Sequence, residues 1–248
     1  MEAEREFKEG TLLKVSQGVH GLLTSDAEYF GFEKGGKANL SGFLNELIPQ
    51  LALMRREFGS AALSEFKNEK NAKVAEKAVF KLYLGTFDAD DDAKKTISLR
   101  VNGKNRKYFT DIHDANLSMA GMDFAPYLKS LLNEYSVRPL WQREQCYQWS
   151  KIKKLREAIR ERKRLRIRSA DASLDLFPCS LDVSPVFGCC LVTGIDCAKR
   201  APTFFPLSEV EEFTVIDERH ALSAAELNLI AEFMEREWRE EEKSDVRE

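Results

Sequence analysis

The chain has no run approaching the roughly 18 consecutive apolar residues that a bilayer-spanning helix needs. Its first ten residues mix acids and bases with no apolar segment, so no secretory signal is expected there. Histidine is scarce: His20, His113 and His220 lie far apart, and none sits in a recognisable catalytic motif. There is no Walker loop, no GxGxxG, no HExxH and no nucleophile elbow. These absences point away from an enzyme and from a bound cofactor. The five cysteines (Cys146, Cys179, Cys189, Cys190, Cys197) are an odd number and form no CxxC pair. With no export signal, the expectation is free thiols in a reducing cytoplasm. Only Cys189, Cys190 and Cys197 lie near one another, with no histidine beside them, so no metal site is expected.

What remains is an ordinary globular composition, 43% hydrophobic and 32% charged over 248 residues. That length can bury one large core or two to three small ones.

The most informative feature is a repeat. A strand-like run, Thr11-Leu12-Leu13-Lys14-Val15-Ser16, returns 86 residues later as Ile97-Ser98-Leu99-Arg100-Val101-Asn102. An apolar helix pattern, Phe43, Leu44, Leu47, Ile48 and Leu51, returns 84 residues later around Tyr127, Leu128, Leu131 and Leu132. A repeat on this scale means a duplicated supersecondary unit. The unit reads strand, helix, turn, helix, the layout of a ribbon-helix-helix. Two such units pair their strands into a ribbon that can lie in a nucleic-acid groove.

The expected organisation is a first ribbon-helix-helix-like unit over 1–57 and a connecting helix with an acidic linker over 58–94. A second such unit covers 95–139, and a basic linking helix 140–168. A small, mainly β domain over 169–222 and a C-terminal helix with an acidic tail over 223–248 complete the chain. In the first unit Gly35-Gly36 marks the turn, Asn39 or Ser41 can cap the second helix, and Pro49 interrupts it. In the second, Tyr108, Phe109 and Ile112 suit a first helix, Gly121 the turn, and Asp123 a cap. A separate helix is expected over 60–83, and Asp88 to Asp92 as a solvated linker. Pro178 and Pro185 are read as strand breaks, Val186 to Ile195 as a buried strand, and Ser223-x-x-Glu226 as a capping box. The fold class is therefore α+β.

The net charge of −3 hides an asymmetry. Residues 151–168 hold ten Lys/Arg against two Glu, and residues 209–248 hold fourteen Asp/Glu against five Lys/Arg. Charge split this way suits a polyanion-binding face with an acidic tail elsewhere. The candidate nucleic-acid contacts fall in two places. On the ribbon they are Lys14, Ser98 and Arg100. On the basic segment they are Lys153, Arg156, Arg160, Lys163, Arg164, Arg166 and Arg168, read as a stripe along neighbouring helical turns. Trp141, Tyr147 and Trp149 stand just before that stripe and are candidates for stacking on unpaired bases.

The order of parts carries a family resemblance. Ala158-Ile159-Arg160-Glu161-Arg162-Lys163-Arg164-Leu165-Arg166-Ile167, Pro178 with the strand around Leu181, Gly188-Cys189-Cys190-Leu191-Val192, and Phe205-Pro206-Leu207-Ser208-Glu209-Val210 resemble a WYL domain, an SH3-like β-fold. The name-giving Trp-Tyr-Leu position is held here by Cys189, Cys190 and Leu191. Pro206 and Glu209 stand at two positions often basic in the family. Preceded by two ribbon-helix-helix-like units, the whole is similar to the WYL accessory proteins of type VI-D CRISPR systems. That resemblance implies a non-catalytic, cytoplasmic protein that binds single-stranded RNA and enhances an RNA-guided ribonuclease. The alternatives are a ribbon-helix-helix/WYL DNA-binding transcriptional regulator and a protein-interaction module. The partners expected are single-stranded RNA or DNA and the CRISPR ribonuclease, with no membrane; a homodimer stays open.

Overall fold

The computed structural model describes residues 10–64, 94–111, 124–170, 173–184 and 186–245. The chain divides into two compact units, Met1–Arg138 and Pro139–Glu248, and is mixed α+β.

In the first unit, strand β1 (Gly10–Ser16) pairs antiparallel with β2 (Lys94–Arg100). Alternation decides which side of this ribbon is wet. Leu13, Val15, Ile97 and Leu99 are buried, while Leu12, Lys14, Thr96, Ser98 and Arg100 face outward. Helix α1 (Gln17–Tyr29) follows β1 directly, because Ser16 Oγ accepts the Val19 N–H at 3.2 Å. The repeat reaches this cap: 86 residues on, Asn102 Oδ1 accepts the Asn105 N–H at 2.9 Å and opens a helical segment over 106–111. Gly35 and Gly36 both take positive φ in the turn before α2 (Leu40–Ser64). Asn39 caps α2 through the Gly42 N–H at 3.0 Å. Helix α3 (Phe124–Ser136) is the second copy of α2. Phe43, Leu44, Leu47, Ile48 and Leu51 are buried, as are Tyr127, Leu128, Leu131, Leu132 and Tyr135 at the corresponding places. Each large side chain so buried contributes about 1.5–3 kcal/mol.

Pro49 lies inside α2 and cannot donate to the carbonyl of Asn45. That oxygen instead accepts the Asn105 side-chain amide at 2.6 Å. The side chain of Asn45 reaches the Arg100 carbonyl at 2.8 Å and the Asn102 N–H at 2.9 Å. The interruption in the helix is thus tied to the end of β2. Polar groups also close the α1–α2–α3 core. Tyr135 Oη donates to buried Asp26 at 2.7 Å, and Arg55 on α2 pairs with Glu134 on α3 at 2.8 Å.

The boundary expected at residue 57 is corrected: α2 runs unbroken to Ser64. Leu, Met, Arg, Glu and Ala dominate that stretch, and the single Gly59 costs a helix only about 1 kcal/mol. The rest of the helix expected over 60–83, the Asp88–Asp92 linker, Ile112, Gly121 and Asp123 lie outside the described residues.

The second unit opens with α4 (Leu140–Tyr147) and α5 (Trp149–Glu161). A five-stranded antiparallel sheet follows, in the order β6-β5-β4-β3-β7. Its strands are β3 (Lys163–Arg168), β4 (Ser173–Val183), β5 (Cys190–Asp196), β6 (Pro202–Pro206) and β7 (Glu212–Arg219). A 3-10 turn, Leu207–Glu209, separates the last two. Four strands run as a meander, and the fifth returns to pair with the first. Ile152, Leu155 and Ala158 of α5 pack with Leu165, Ile167, Leu176, Cys190, Val192 and Phe213 on one face. On the other face Leu191 and Ile195 meet Ile230 and Met234 of the last helix, α6 (Ala224–Asp245). β5 is therefore buried on both sides. Cys190 lies in the first of these cores, and burial pushes its thiol up to about 12.

Three expectations change here. Pro178 lies inside β4 rather than ending it. The register shifts between Pro178 and Ser180, a bulge that accommodates the missing N–H. The strand expected from Val186 begins only at Cys190, after a turn with Gly188 at φ 63°. The helix expected over 140–168 is two helices and a strand. α5 stops where Arg162 adopts the left-handed conformation at φ 56°, and β3 begins at Lys163. The capping box does form: Glu226 accepts the Ser223 N–H at 2.8 Å, and Ser223 Oγ accepts the Glu226 N–H at 3.2 Å.

Candidate nucleic-acid interface

The outward ribbon face is built from four facing pairs: Gly10–Arg100, Leu12–Ser98, Lys14–Thr96 and Ser16–Lys94. Leu12 and Ser98 are related by the repeat and also face each other, so the internal two-fold passes through that pair. Lys14 and Arg100 occupy equivalent places on either side of it. The charge is unevenly spread. Lys14 and Lys94 lie toward one end of the ribbon with Lys95 beside them, and Arg100 lies at the other. All four are exposed, and neither strand carries a carboxylate. Among the described residues, no ion pair joins Lys14 or Arg100 to an acid. Lys94 and Lys95 were not anticipated from sequence; the strand extends three residues beyond the repeat that revealed it.

The Arg100 backbone is fixed from two sides. Its N–H donates to Ser41 Oγ at 3.1 Å, and its carbonyl accepts from Asn45 at 2.8 Å. Both partners stand in the first turns of α2. The ribbon end is therefore held by helix side chains and presents Arg100 from a rigid mount.

The basic segment of the second unit is different in kind. Arg164, Arg166 and Arg168 share one face of β3, with Leu165 and Ile167 on the other. They do not continue the helical turns that carry Lys153, Arg156 and Arg160, and neither does Lys163. The strand's cations are already engaged. Lys163 pairs with Glu161 at 2.9 Å and Asp217 at 3.4 Å. Arg164 meets Glu218 at 2.7 Å. Arg166 holds Asp175 through two bonds, at 2.7 and 3.0 Å. Arg168 meets Glu212 at 3.1 Å and approaches Glu211 at 3.9 Å. Hydrogen bonding from Arg166 holds the Asp175 carboxyl below its ordinary value. Such partly exposed pairs add little stability, but they cancel the field that a phosphate would feel. Those acids come from the end of α5, β4, β7 and the residue before β7. In sequence, most of them count as part of a distant acidic segment.

On α5, Lys153, Lys154, Arg156 and Arg160 are exposed beside Glu157. The Arg156 guanidinium lies 5.5 Å from the Trp149 ring, and Arg160 contacts Glu161 at 3.4 Å. Lys151 turns inward to the Val210 carbonyl, and desolvation lowers its pKa. Trp149 is buried, and Trp141 is half-buried with its side chain packed against the sheet core. Tyr147 is half-buried. Among the described residues, the ribbon cations Lys14 and Arg100 have no carboxylate partner, and the helix face of α5 carries further exposed cations.

No protein-family model matches the chain, and no curated protein does. Among solved structures it is similar to one described as a CRISPR Cas-related protein, with a TM-score of 0.65 and 13% identity over 92% of this chain and 67% of that one. A second likeness is to proteasome accessory factor B/C of Arthrobacter aurescens, with a TM-score of 0.29 and 14% identity over 52% of this chain and 22% of that one. The first likeness shows a shared fold. The second is too low to carry an argument.

Proposed function

We propose that this chain is a non-catalytic nucleic-acid-binding protein that works beside a CRISPR RNA-guided ribonuclease, in the cytoplasm, by binding single-stranded RNA. The observation that carries the nucleic-acid part is the outward ribbon face, where Lys14, Lys94 and Arg100 stand exposed with no carboxylate on either strand. Cations so placed can neutralise phosphates and release their counterions. The antiparallel pairing of two repeat-related strands, each followed by a capped helix, supports the ribbon-helix-helix reading. The meander of four strands, with a fifth pairing back to the first, supports the SH3-like WYL reading of the second unit. The CRISPR setting rests on the fold shared with a CRISPR Cas-related protein.

A DNA-binding transcriptional regulator is the second reading. What favours it is the ribbon itself, since two antiparallel strands fit the major groove of a duplex. Binding of labelled single-stranded RNA, single-stranded DNA and random duplex DNA across a salt series separates the two. Single-strand preference with a steep salt dependence supports the accessory reading; duplex preference supports the regulator. Loss of binding in the Lys14→Glu, Arg100→Glu double variant assigns either to the ribbon.

A further inference from the structure

We infer that the Arg100 end of the ribbon is a base-reading subsite for an unpaired guanine, while the Lys14 end holds phosphates. This rests on the nucleic-acid reading above and goes beyond it. Three observations set this end apart. Gly10 faces Arg100 across the ribbon, and a Cβ built on Gly10 meets no atom within 4 Å. Among the described residues no side chain stands opposite the guanidinium, where every other outward pair has two. Next to it Leu12 is 67% exposed, an apolar surface beside a donor group. The Arg100 backbone is fixed at both its N–H and its carbonyl by Ser41 and Asn45. A rigidly mounted arginine, a gap opposite it and an apolar floor are the elements of a slot for one planar ring.

The chemistry selects the ring. Arginine presents two parallel donors, and guanine alone offers two acceptors, O6 and N7, at matching spacing. Adenine places a donor beside N7 and would set it against the guanidinium. The opposite end has Lys14 and Lys94, point charges that suit phosphate oxygens and read no base. From Thr96, which faces Lys14, to Arg100 is about 14 Å along the strand at roughly 3.4 Å per residue. A stacked strand advances about 3.4 Å per nucleotide along its axis, so the guanine lies some four steps from the phosphates held at the lysine end. The ribbon would thus bind a strand in one polarity.

The test uses the full chain and two RNA oligomers, oligouridylate and the same oligomer with one central guanosine, each titrated across a salt series. The wild type is expected to bind the guanosine oligomer about tenfold to a hundredfold more tightly. Arg100→Lys keeps the charge and loses the fork. It is expected to keep the salt slope and lose the preference. Gly10→Val fills the gap and should do the same; among the described residues a Cβ there meets no atom within 4 Å. Equal affinity of the wild type for both oligomers overturns this inference and leaves the nucleic-acid reading intact. A preference that survives both variants also overturns it. Failure to bind either oligomer overturns the nucleic-acid reading and this inference with it.

Discussion

A Cβ on Gly194 would lie 2.2 Å from the Phe177 carbonyl oxygen and 3.0 Å from a Leu176 methyl. Gly194 faces Pro178 at the bulge of β4. No rotamer relieves a backbone clash, so β4 or β5 must move. Gly194→Ala is expected to cost about 1–3 kcal/mol, measured by chemical denaturation. An unchanged midpoint would show that the bulge is softer than its geometry. At the same scale, Arg100 is worth more than its charge: its backbone is tied to α2, so changing its side chain leaves the mount in place. The residues chosen from sequence for the ribbon, Lys14, Ser98 and Arg100, do share one face. Those chosen on the basic segment divide between a helix and a strand. The stacking candidates Trp141 and Trp149 are packed into the second unit. Sequence alone does not separate a tryptophan that covers a sheet from one that awaits a base.

At the scale of elements, what was legible followed from local pattern. Period-two alternation located β1 and β2, and the Ser223–Glu226 box located the start of α6. What was not legible depended on partners far along the chain. Lys163 to Arg168 has the composition of a good helix, with four Lys/Arg residues beside a leucine. It becomes a strand because β4 and β7 pair with it on both edges, and their acids face its cations. Two devices at this scale can be tested. Asn105 supplies the hydrogen bond that Pro49 cannot. Asn105→Ala should cost about 1–3 kcal/mol by leaving a buried carbonyl bare. In a Pro49→Ala background the alanine N–H can donate to the Asn45 carbonyl, and the same change should cost clearly less. Additive costs would show that the two residues are not coupled. The second device is the capping box. The Ser223 N–H and hydroxyl and His220 hold the Glu226 carboxyl down to about 2. The folded-state value is depressed, so its contribution is present above the ordinary carboxylate range and is lost as pH falls from about 4.5 toward 2. The stability difference between wild type and Glu226→Gln should therefore be constant near neutrality and vanish across that window. A difference that persists at the acid end of it would contradict the assignment.

At the scale of the molecule, two units carry two different uses of charge. The second unit places basic and acidic segments side by side, so a large local excess in sequence becomes a paired surface in the fold. The first unit brings two weakly basic strands together from 86 residues apart and gathers Lys14, Lys94 and Arg100 on one side. A count along the chain therefore ranks first a segment whose strand cations are paired in the fold, and the repeat ranks first the ribbon. Among the described residues no helix is long and apolar enough to cross a membrane. The central claim is that the ribbon, and not the basic strand, binds nucleic acid. Its most direct test is the affinity for single-stranded RNA at two salt concentrations of three chains: wild type, Lys14→Glu with Arg100→Glu, and Arg166→Glu with Arg168→Glu. The account predicts strong, salt-sensitive binding by the wild type, collapse in the ribbon variant and near-wild-type affinity in the strand variant. Collapse in the strand variant with the ribbon variant unaffected would contradict it.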